Sequence, residues 1–269
     1  MRFLRFAGRH GRWCLVGGLL AGLALPDLAT LLRPWLPGLV AGLLFVAALR
    51  IGPRAAFGNL GDLGSTLGLV CLFQLAAPLL ALAAVSLTGF SETAAGVALV
   101  LMLAAPPVTG SPNFTILMGR DPAIAMRMLL IGTALFPVTV LPVLYLSPVT
   151  ETPAGALHGA LRLIAVIFGT VGLAFGLRML ARKDPDAAMK QSLDGISAIL
   201  LGVVVVGLMS AAGPALKQSP LGFAGWLAFA TVANFAMQLL AHRFVPLPDE
   251  ARDRTGISIV AGNRNVALF

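Results

Sequence analysis

The stretch AAPPVTGSPN, residues 104–113, interrupts an apolar run that is otherwise long enough to cross a lipid bilayer. Pro106, Pro107 and Pro112 each lack a backbone N–H donor, so a continuous helix cannot pass through them. Gly110 disfavours a helix further. Non-helical backbone at membrane depth is tolerated only where protein buries it or where it lines a cavity. The stretch therefore predicts a broken helix inside a membrane protein.

The composition supports a membrane environment for the whole chain. Mean hydropathy is +0.92, and only 11% of the residues are charged, whereas a soluble domain has about a quarter. The net charge of +8 comes from basic residues scattered singly between apolar runs, which is unlike a nucleic-acid-binding surface and is typical of loop anchors. Cys14 and Cys71 lie in apolar runs without disulfide or metal-ligand spacing. We interpret both cysteines as packing residues.

Nine membrane spans are predicted, the last of them cut short. They lie near 13–27, 33–49, 64–88, 93–119, 124–146, 158–180, 195–213, 220–242 and 255–269. With a cytoplasmic N-terminus, most of the 19 Lys and Arg residues fall on the cytoplasmic side, and only Arg33, Arg162 and Lys217 fall on the other. The sequence therefore predicts a multi-pass protein of the inner (plasma) membrane with its N-terminus in the cytoplasm.

The ninth predicted span repeats the interruption of the fourth, because SIVAG leads into the polar stretch NRN at 263–265. Asn113 and Asn265 occupy matching places in two halves of the chain. Five spans precede the second half, which has four. An odd number of spans per repeat inverts the second copy in the membrane, and paired interrupted helices in such a repeat mark the binding site of a secondary transporter. The alternative is a proline-kinked helix and an unrelated polar end. We predict a first repeat over 1–146 and a second, truncated repeat over 147–269.

Four segments together resemble the bile acid:sodium symporter family: APPVTGSPNFTILMGRDPAIA, FPVTVLP, SIVAGNRNVALF and FQLAAP. The likeness covers nearly the whole chain in span order. It implies an all-α polytopic membrane protein that is built from an inverted repeat of five transmembrane helices. In this architecture the broken helices four and nine cross each other. The panel and core domains are interleaved across both repeats. Against this pattern the second repeat is incomplete, since the end of the ninth span and the tenth span are missing. We therefore expect a fragment or a truncated reading frame.

The resemblance also implies a substrate site at the two breaks. The residues that it places there are Thr109, Ser111, Asn113, Thr115, Asn263, Arg264 and Asn265. Gln74 matches a glutamine that helps to bind sodium in relatives. Asn234 and Gln238, one turn apart on the eighth span, are expected either to support this site or to form ordinary hydrogen bonds between helices.

Four positions depart from the sodium-coupled pattern that the resemblance implies. Val260 stands where such relatives carry an acid, Arg264 stands where glutamine is common, and two hydroxyl positions are Ala125 and Leu129. Sodium requires oxygen ligands, and a guanidinium repels a nearby cation. We therefore expect Arg264 to take the place of the cation. Its alternative role is to bind backbone carbonyls as a structural element. Sodium as a cofactor is disfavoured, and no other cofactor or metal is predicted.

The sequence thus predicts a carrier that moves a small organic anion by alternating access, without the usual sodium coupling. An arsenite efflux permease relative is one alternative, although such proteins place a cysteine at the first break, where this chain has Ala105. A non-transporting membrane fragment is another. The spans contain no Ser/His pair or paired carboxylates, so an enzyme is not expected. The expected partners are the lipid bilayer and a small organic anion, with no nucleic acid; the sequence leaves the oligomeric state open.

Overall fold

The computed structural model describes residues 2–58, 60–147, 153–181, 184–245 and 254–265. Within these ranges the chain is all-α, and extended backbone pairs at one bridge. The helices are α1 (Arg2–Arg9), α2 (Gly11–Ala24), α3 (Pro26–Leu32), α4 (Leu36–Ile51), α5 (Pro53–Phe57), α6 (Leu60–Cys71), α7 (Ala77–Leu87), α8 (Ala94–Ala104), α9 (Ser111–Leu117), α10 (Ala123–Leu146), α11 (Pro153–Ala181), α12 (Ala187–Gln218), α13 (Pro220–Phe244) and α14 (Thr255–Gly262). A 3₁₀ turn at Arg33–Trp35 joins α3 to α4, and a π turn at Leu72–Ala76 joins α6 to α7.

Six helical stretches among the described residues are long and apolar enough to cross a membrane. They are Pro26–Ile51, Asp62–Leu87, Ala123–Leu146, Ile164–Ala181, Ala187–Gln218 and Pro220–Phe244. Two shorter apolar helices, α2 and α8, accompany them. Many large apolar side chains on these helices are exposed, which suits contact with lipid. The chain is an all-α, multi-pass membrane protein, as its composition predicts.

The connection between the first two predicted spans differs from the prediction. We predicted a connecting segment at 28–32, but these residues are helical, and α2 is separated from α3 by Leu25 alone. Pro26 occupies the first helical position of α3, where a missing N–H donor costs no hydrogen bond. Pro34 sits in the first turn of the 3₁₀ segment for the same reason. The second span therefore runs without a loop from Pro26 to Ile51.

The chain divides into two compact units, of which the first comprises Met1–Pro53, Pro112–Pro122 and Thr170–Val232. Its central helix is α12, which packs against α1, α2, α3 and α4. The approach of α2 to α12 requires glycine, because a Cβ atom at Gly18 would collide with the backbone of Gly202. Small residues that let helix backbones touch are typical of helix packing in membranes.

The second unit comprises Arg54–Ser111, Ala123–Gly169 and Ala233–Phe269. Its central helix is α10, which packs against α6, α7, α8, α14 and the π turn. One apolar cluster joins α10 to α6, the π turn, α14 and the end of α13; its buried members are Leu69, Phe73, Ile124, Ala125, Met128, Ala241, Val245, Ile257, Val260 and Ala261. Each unit therefore takes segments from both the first and the second half of the chain.

The interpretation of the basic residues as loop anchors is wrong for at least two of them. Arg127 lies on α10 and is 4% exposed. It donates to the carbonyl oxygen of Ala56 at 3.3 Å and lies 3.5 Å from the Asp62 carboxylate. Arg50, at the end of α4, forms a part-buried ion pair with Asp194 of α12. These guanidinium groups hold helix ends together within each unit.

The contact between α2 and α12 generates a stability prediction. We expect Gly18→Ala to lower the free energy of unfolding by about 1–3 kcal/mol, because the added methyl group overpacks against backbone that cannot rotate away. Gly17→Ala is the matched control, since nothing lies within 4 Å of a Cβ atom there. Thermal unfolding of the detergent-solubilised protein measures both effects. Equal melting temperatures for the two variants would contradict the packing described.

Candidate functional site

The predicted interruption of the fourth span is confirmed, because α8 ends at Ala104 and α9 begins at Ser111. Ala105 has extended backbone (φ −60°, ψ 149°), as a residue before a proline usually does. Pro112 falls in the first turn of α9 rather than in the break, and its missing N–H is not needed there. The non-helical part is thus 105–110.

In the ninth predicted span, the helix ends at the position where the break was predicted. The helix α14 ends at Gly262, and Asn263 has extended backbone (φ −93°, ψ 99°). Val266, where we expected a second half-helix to begin, lies outside the described residues.

The two breaks meet each other, as predicted. The backbone N–H of Asn265 donates to the carbonyl of Pro106 at 2.9 Å, and that of Val108 donates to the carbonyl of Asn263 at 3.0 Å. These bonds flank an antiparallel bridge between Pro107 and Arg264, so the bridge needs no N–H from the proline. We call the paired stretches 106–108 and 263–265 the crossing.

Arg264 fastens the ends of both interrupted helices. It is 8% exposed, and its Nε donates to the carbonyl of Ala261, in the last turn of α14, at 3.2 Å. Its Nη1 donates to the carbonyl of Ala105, directly after α8, at 3.3 Å. Carbonyls at a helix C-terminus lack partners within the helix and carry partial negative charge. One guanidinium therefore satisfies and neutralises two helix ends, which agrees with the alternative structural role expected from sequence.

Part of the guanidinium remains uncommitted. Its Nη2 is buried and has no hydrogen-bond partner among the described residues. Its Cζ lies 5.7 Å from the centre of the Phe73 ring, within range of a cation–π contact. Sequence reasoning assigned no role to Phe73, and its position beside Gln74 in FQLAAP was the available indication. Arg264 thus contacts one aromatic ring and two backbone carbonyls, and its Nη2 remains available as a donor.

A chain of amides supports the end of α14. The Nδ2 of Asn234 donates to the carbonyl of Gly262 at 3.0 Å and to the Oδ1 of Asn263 at 3.2 Å. The Nε2 of Gln238 donates in turn to the Oδ1 of Asn234. The structure therefore brings Asn234 and Gln238 to the residue that precedes the buried arginine. Asn234 links α13 to the end of α14, and Gln238, on the same helix as Asn234, holds the Asn234 side chain in place.

Gln74 lies on the π turn, a feature that is frequent at functional sites. Pro78 follows four residues later and cannot donate to the Gln74 carbonyl, which favours the wider turn. The Nε2 of Gln74 donates to the carbonyl of Gly132 and to the Oγ1 of Thr139, both at 2.9 Å on α10. Its Oε1 is buried without a hydrogen-bond partner in the described part of the chain.

The other predicted site residues are all near the breaks along the chain. Thr109 lies in the non-helical stretch and is buried, and Ser111 begins α9 and is buried as well. Asn113 and Thr115 lie on α9 and belong to the first compact unit. Both are buried, and the side-chain amide of Asn113 has no hydrogen-bond partner among the described residues. Asn265 is half-buried.

The three apolar residues that depart from the sodium-coupled pattern are all buried. Val260 and Ala125 are fully buried in the same apolar cluster as Phe73. Leu129 is also fully buried. The described residues contain no group of three His, Cys, Asp or Glu side chains that could hold a metal ion.

Comparisons with known proteins do not assign the chain to a family. No protein-family model matches it, and no curated protein is significantly similar to it. The crossing and the chemistry of its side chains are therefore the evidence on function.

The amide chain generates a prediction for the crossing. We expect Asn234→Ala to lower the free energy of unfolding by about 1–3 kcal/mol, because it leaves the Gly262 carbonyl and the Asn263 amide without their donor. Thr231→Ala is the control, since Thr231 is exposed on the same helix one turn earlier. Thermal unfolding in detergent measures both. Wild-type stability in Asn234→Ala would show that the amide chain does not hold the crossing.

Proposed function

We propose that this chain is a secondary-transporter-like protein, similar to the bile acid:sodium symporter family, that moves a small organic anion by alternating access. The observation that carries the proposal is the buried Arg264 guanidinium at the meeting point of two interrupted helices. Interrupted helices that meet in this way form the binding sites of many secondary transporters. A charged side chain at such depth is costly and points to function.

The geometry of Arg264 favours an anion as the substrate. Its planar guanidinium suits carboxylate oxygens. Backbone carbonyls occupy Nε and Nη1, which leaves Nη2 to donate to a ligand. The half-buried side chains of Asn263 and Asn265 flank the arginine and supply further polar groups. Nη2 is buried in this conformation. In our proposal, the anion therefore contacts Nη2 in another conformation of the transport cycle.

Arg264 also favours transport without sodium. The carbonyl ends of α8 and α14 attract positive charge, and the guanidinium supplies it permanently. A second cation about 4 Å away would be repelled by roughly 4 kcal/mol at an effective dielectric of about 20. The buried side chains of Val260 and Ala125 offer no oxygen ligand nearby. We therefore propose that sodium is not required.

The proposed architecture is an inverted repeat over 1–146 and 147–269, with interleaved panel and core domains. Its support is that each compact unit draws segments from both halves of the chain. The proposed setting is the inner (plasma) membrane with a cytoplasmic N-terminus, and its support is the distribution of Lys and Arg along the sequence.

Substitution of the arginine tests the anion site. We expect Arg264→Gln to weaken binding of an anionic ligand at least about tenfold, or ~1.4 kcal/mol. The measurement is thermal stabilisation of the purified protein by a panel of small mono- and dicarboxylates, followed by titration with the best of them. Arg243→Gln is the control, because Arg243 is exposed at the end of α13 and its loss changes the net charge equally.

Two outcomes would contradict the proposal. In one, no carboxylate in the panel stabilises the wild-type protein. In the other, a carboxylate stabilises wild type and Arg264→Gln equally, which would restrict Arg264 to holding the two helix ends.

A further inference from the structure

Several helix ends of the first compact unit enclose a cavity of about 520 Å³. Its walls come from the junction of α1 and α2, the end of α4, the residues after α9 and the first turns of α12. The volume lies within the range of about 300–1,000 Å³ that is usual for small-molecule sites. The cavity opens where apolar helices begin or end, which is the level of a membrane–water interface.

The walls of the cavity are strongly basic. Four arginines line it: Arg9, Arg12, Arg50 and Arg120. Asp194 is the one carboxylate among the described lining residues, and Arg50 forms an ion pair with it. Arg9 and Arg12 are exposed and form no ion pair within the described part of the chain. Arg9 and Arg12 therefore give the cavity positive charge that no carboxylate lining it balances.

An aromatic stripe lies beside this cavity on the same two helices. Phe3, Phe6, His10 and Trp13 recur at helical spacing, and the Phe6 and His10 rings are 4.3 Å apart. Phe3, Phe6 and Trp13 are 71%, 61% and 72% exposed. Exposed aromatic side chains next to arginines at the start of an apolar helix are typical of segments that lie in the membrane interface.

We propose that this cavity binds the phosphate headgroup of an anionic membrane lipid, with the acyl chains lying along the aromatic stripe. Guanidinium groups match phosphate oxygens with paired, charge-assisted hydrogen bonds. Basic pockets between transmembrane helices are recurrent sites for anionic headgroups. The exposed aromatic side chains favour a lipid over a soluble phosphate, because they form an apolar surface on which acyl chains can pack and a soluble phosphate has no apolar part.

This site is separate from the anion site at the crossing. Every residue that lines the cavity belongs to the first compact unit, whereas Arg264 belongs to the second. Lipid binding here therefore does not depend on whether the crossing binds a substrate.

The test compares lipid retention by the purified full chain in native mass spectrometry. The probes are phosphatidylglycerol and phosphatidylcholine with the same acyl chains. We expect wild type to prefer phosphatidylglycerol and Arg9→Gln/Arg12→Gln to lose affinity for it by roughly thirtyfold, since each basic residue near an anionic surface contributes about fivefold. Arg162→Gln/Arg243→Gln is the control, because both arginines are exposed and lie outside the cavity. These two substitutions remove the same amount of positive charge as Arg9→Gln/Arg12→Gln.

Competition identifies the source of the phosphate group. Glycerol 3-phosphate and inorganic phosphate should not displace phosphatidylglycerol at matched concentration, because neither has acyl chains. Displacement by either would overturn the assignment to a lipid. Equal retention of phosphatidylglycerol by the two double variants would overturn the site itself, because general electrostatics would then explain the preference. Size-exclusion chromatography verifies that both double variants are folded.

Discussion

Two helices that stop within a membrane leave backbone groups that no water can satisfy, and the fold depends on how those groups are paired. Here the exposed backbone of one break satisfies that of the other across the bridge between Pro107 and Arg264. The carbonyls left over at the two helix ends accept hydrogen bonds from a single guanidinium. Removing either break would leave the other without its partners. The crossing is thus one cooperative unit, although its two halves are far apart along the chain.

The same arrangement favours positive charge at this point. Two helix C-termini converge, and their partial negative charges favour positive charge between them. Arg264 provides that charge covalently, with the Phe73 ring as a further favourable contact. The neighbouring apolar cluster, with Val260 and Ala125, would be a poor environment for a hydrated ion. In our proposal, structural and binding roles meet in one side chain, because one of its nitrogens stays available for an anion.

The helix breaks could be predicted from sequence because their causes are local. Proline and glycine act on the backbone wherever they stand, so AAPPVTGSPN and the Gly262 position indicated interruptions without knowledge of the fold. The partners of Arg264 could not be predicted in this way. Ala105 contributes only its carbonyl, lies 159 residues away and has no side-chain pattern to mark it.

Long-range ion pairs were missed for a related reason. Arg50 and Asp194 are 144 residues apart, and each alone is indistinguishable in sequence from a charged residue in a loop. The continuity of the second span from Pro26 through Pro34 to Ile51 was also missed, because a proline favours the first turn of a helix as readily as it favours a loop. In contrast, the positions of Asn234 and Gln238 one turn apart did indicate a shared face, and both contribute to the amide chain at α14.

We propose that Arg264 replaces a coupling cation. Uptake by proteoliposomes that contain the full chain tests this proposal, with the carboxylate that binds best as the substrate and with sodium replaced by choline on both sides. We expect the same initial rate of uptake in sodium and in choline. A large loss of uptake in choline would show that sodium is required. That result would mean that Gln74 Oε1 and backbone carbonyls form a cation site without a carboxylate, despite the guanidinium beside them.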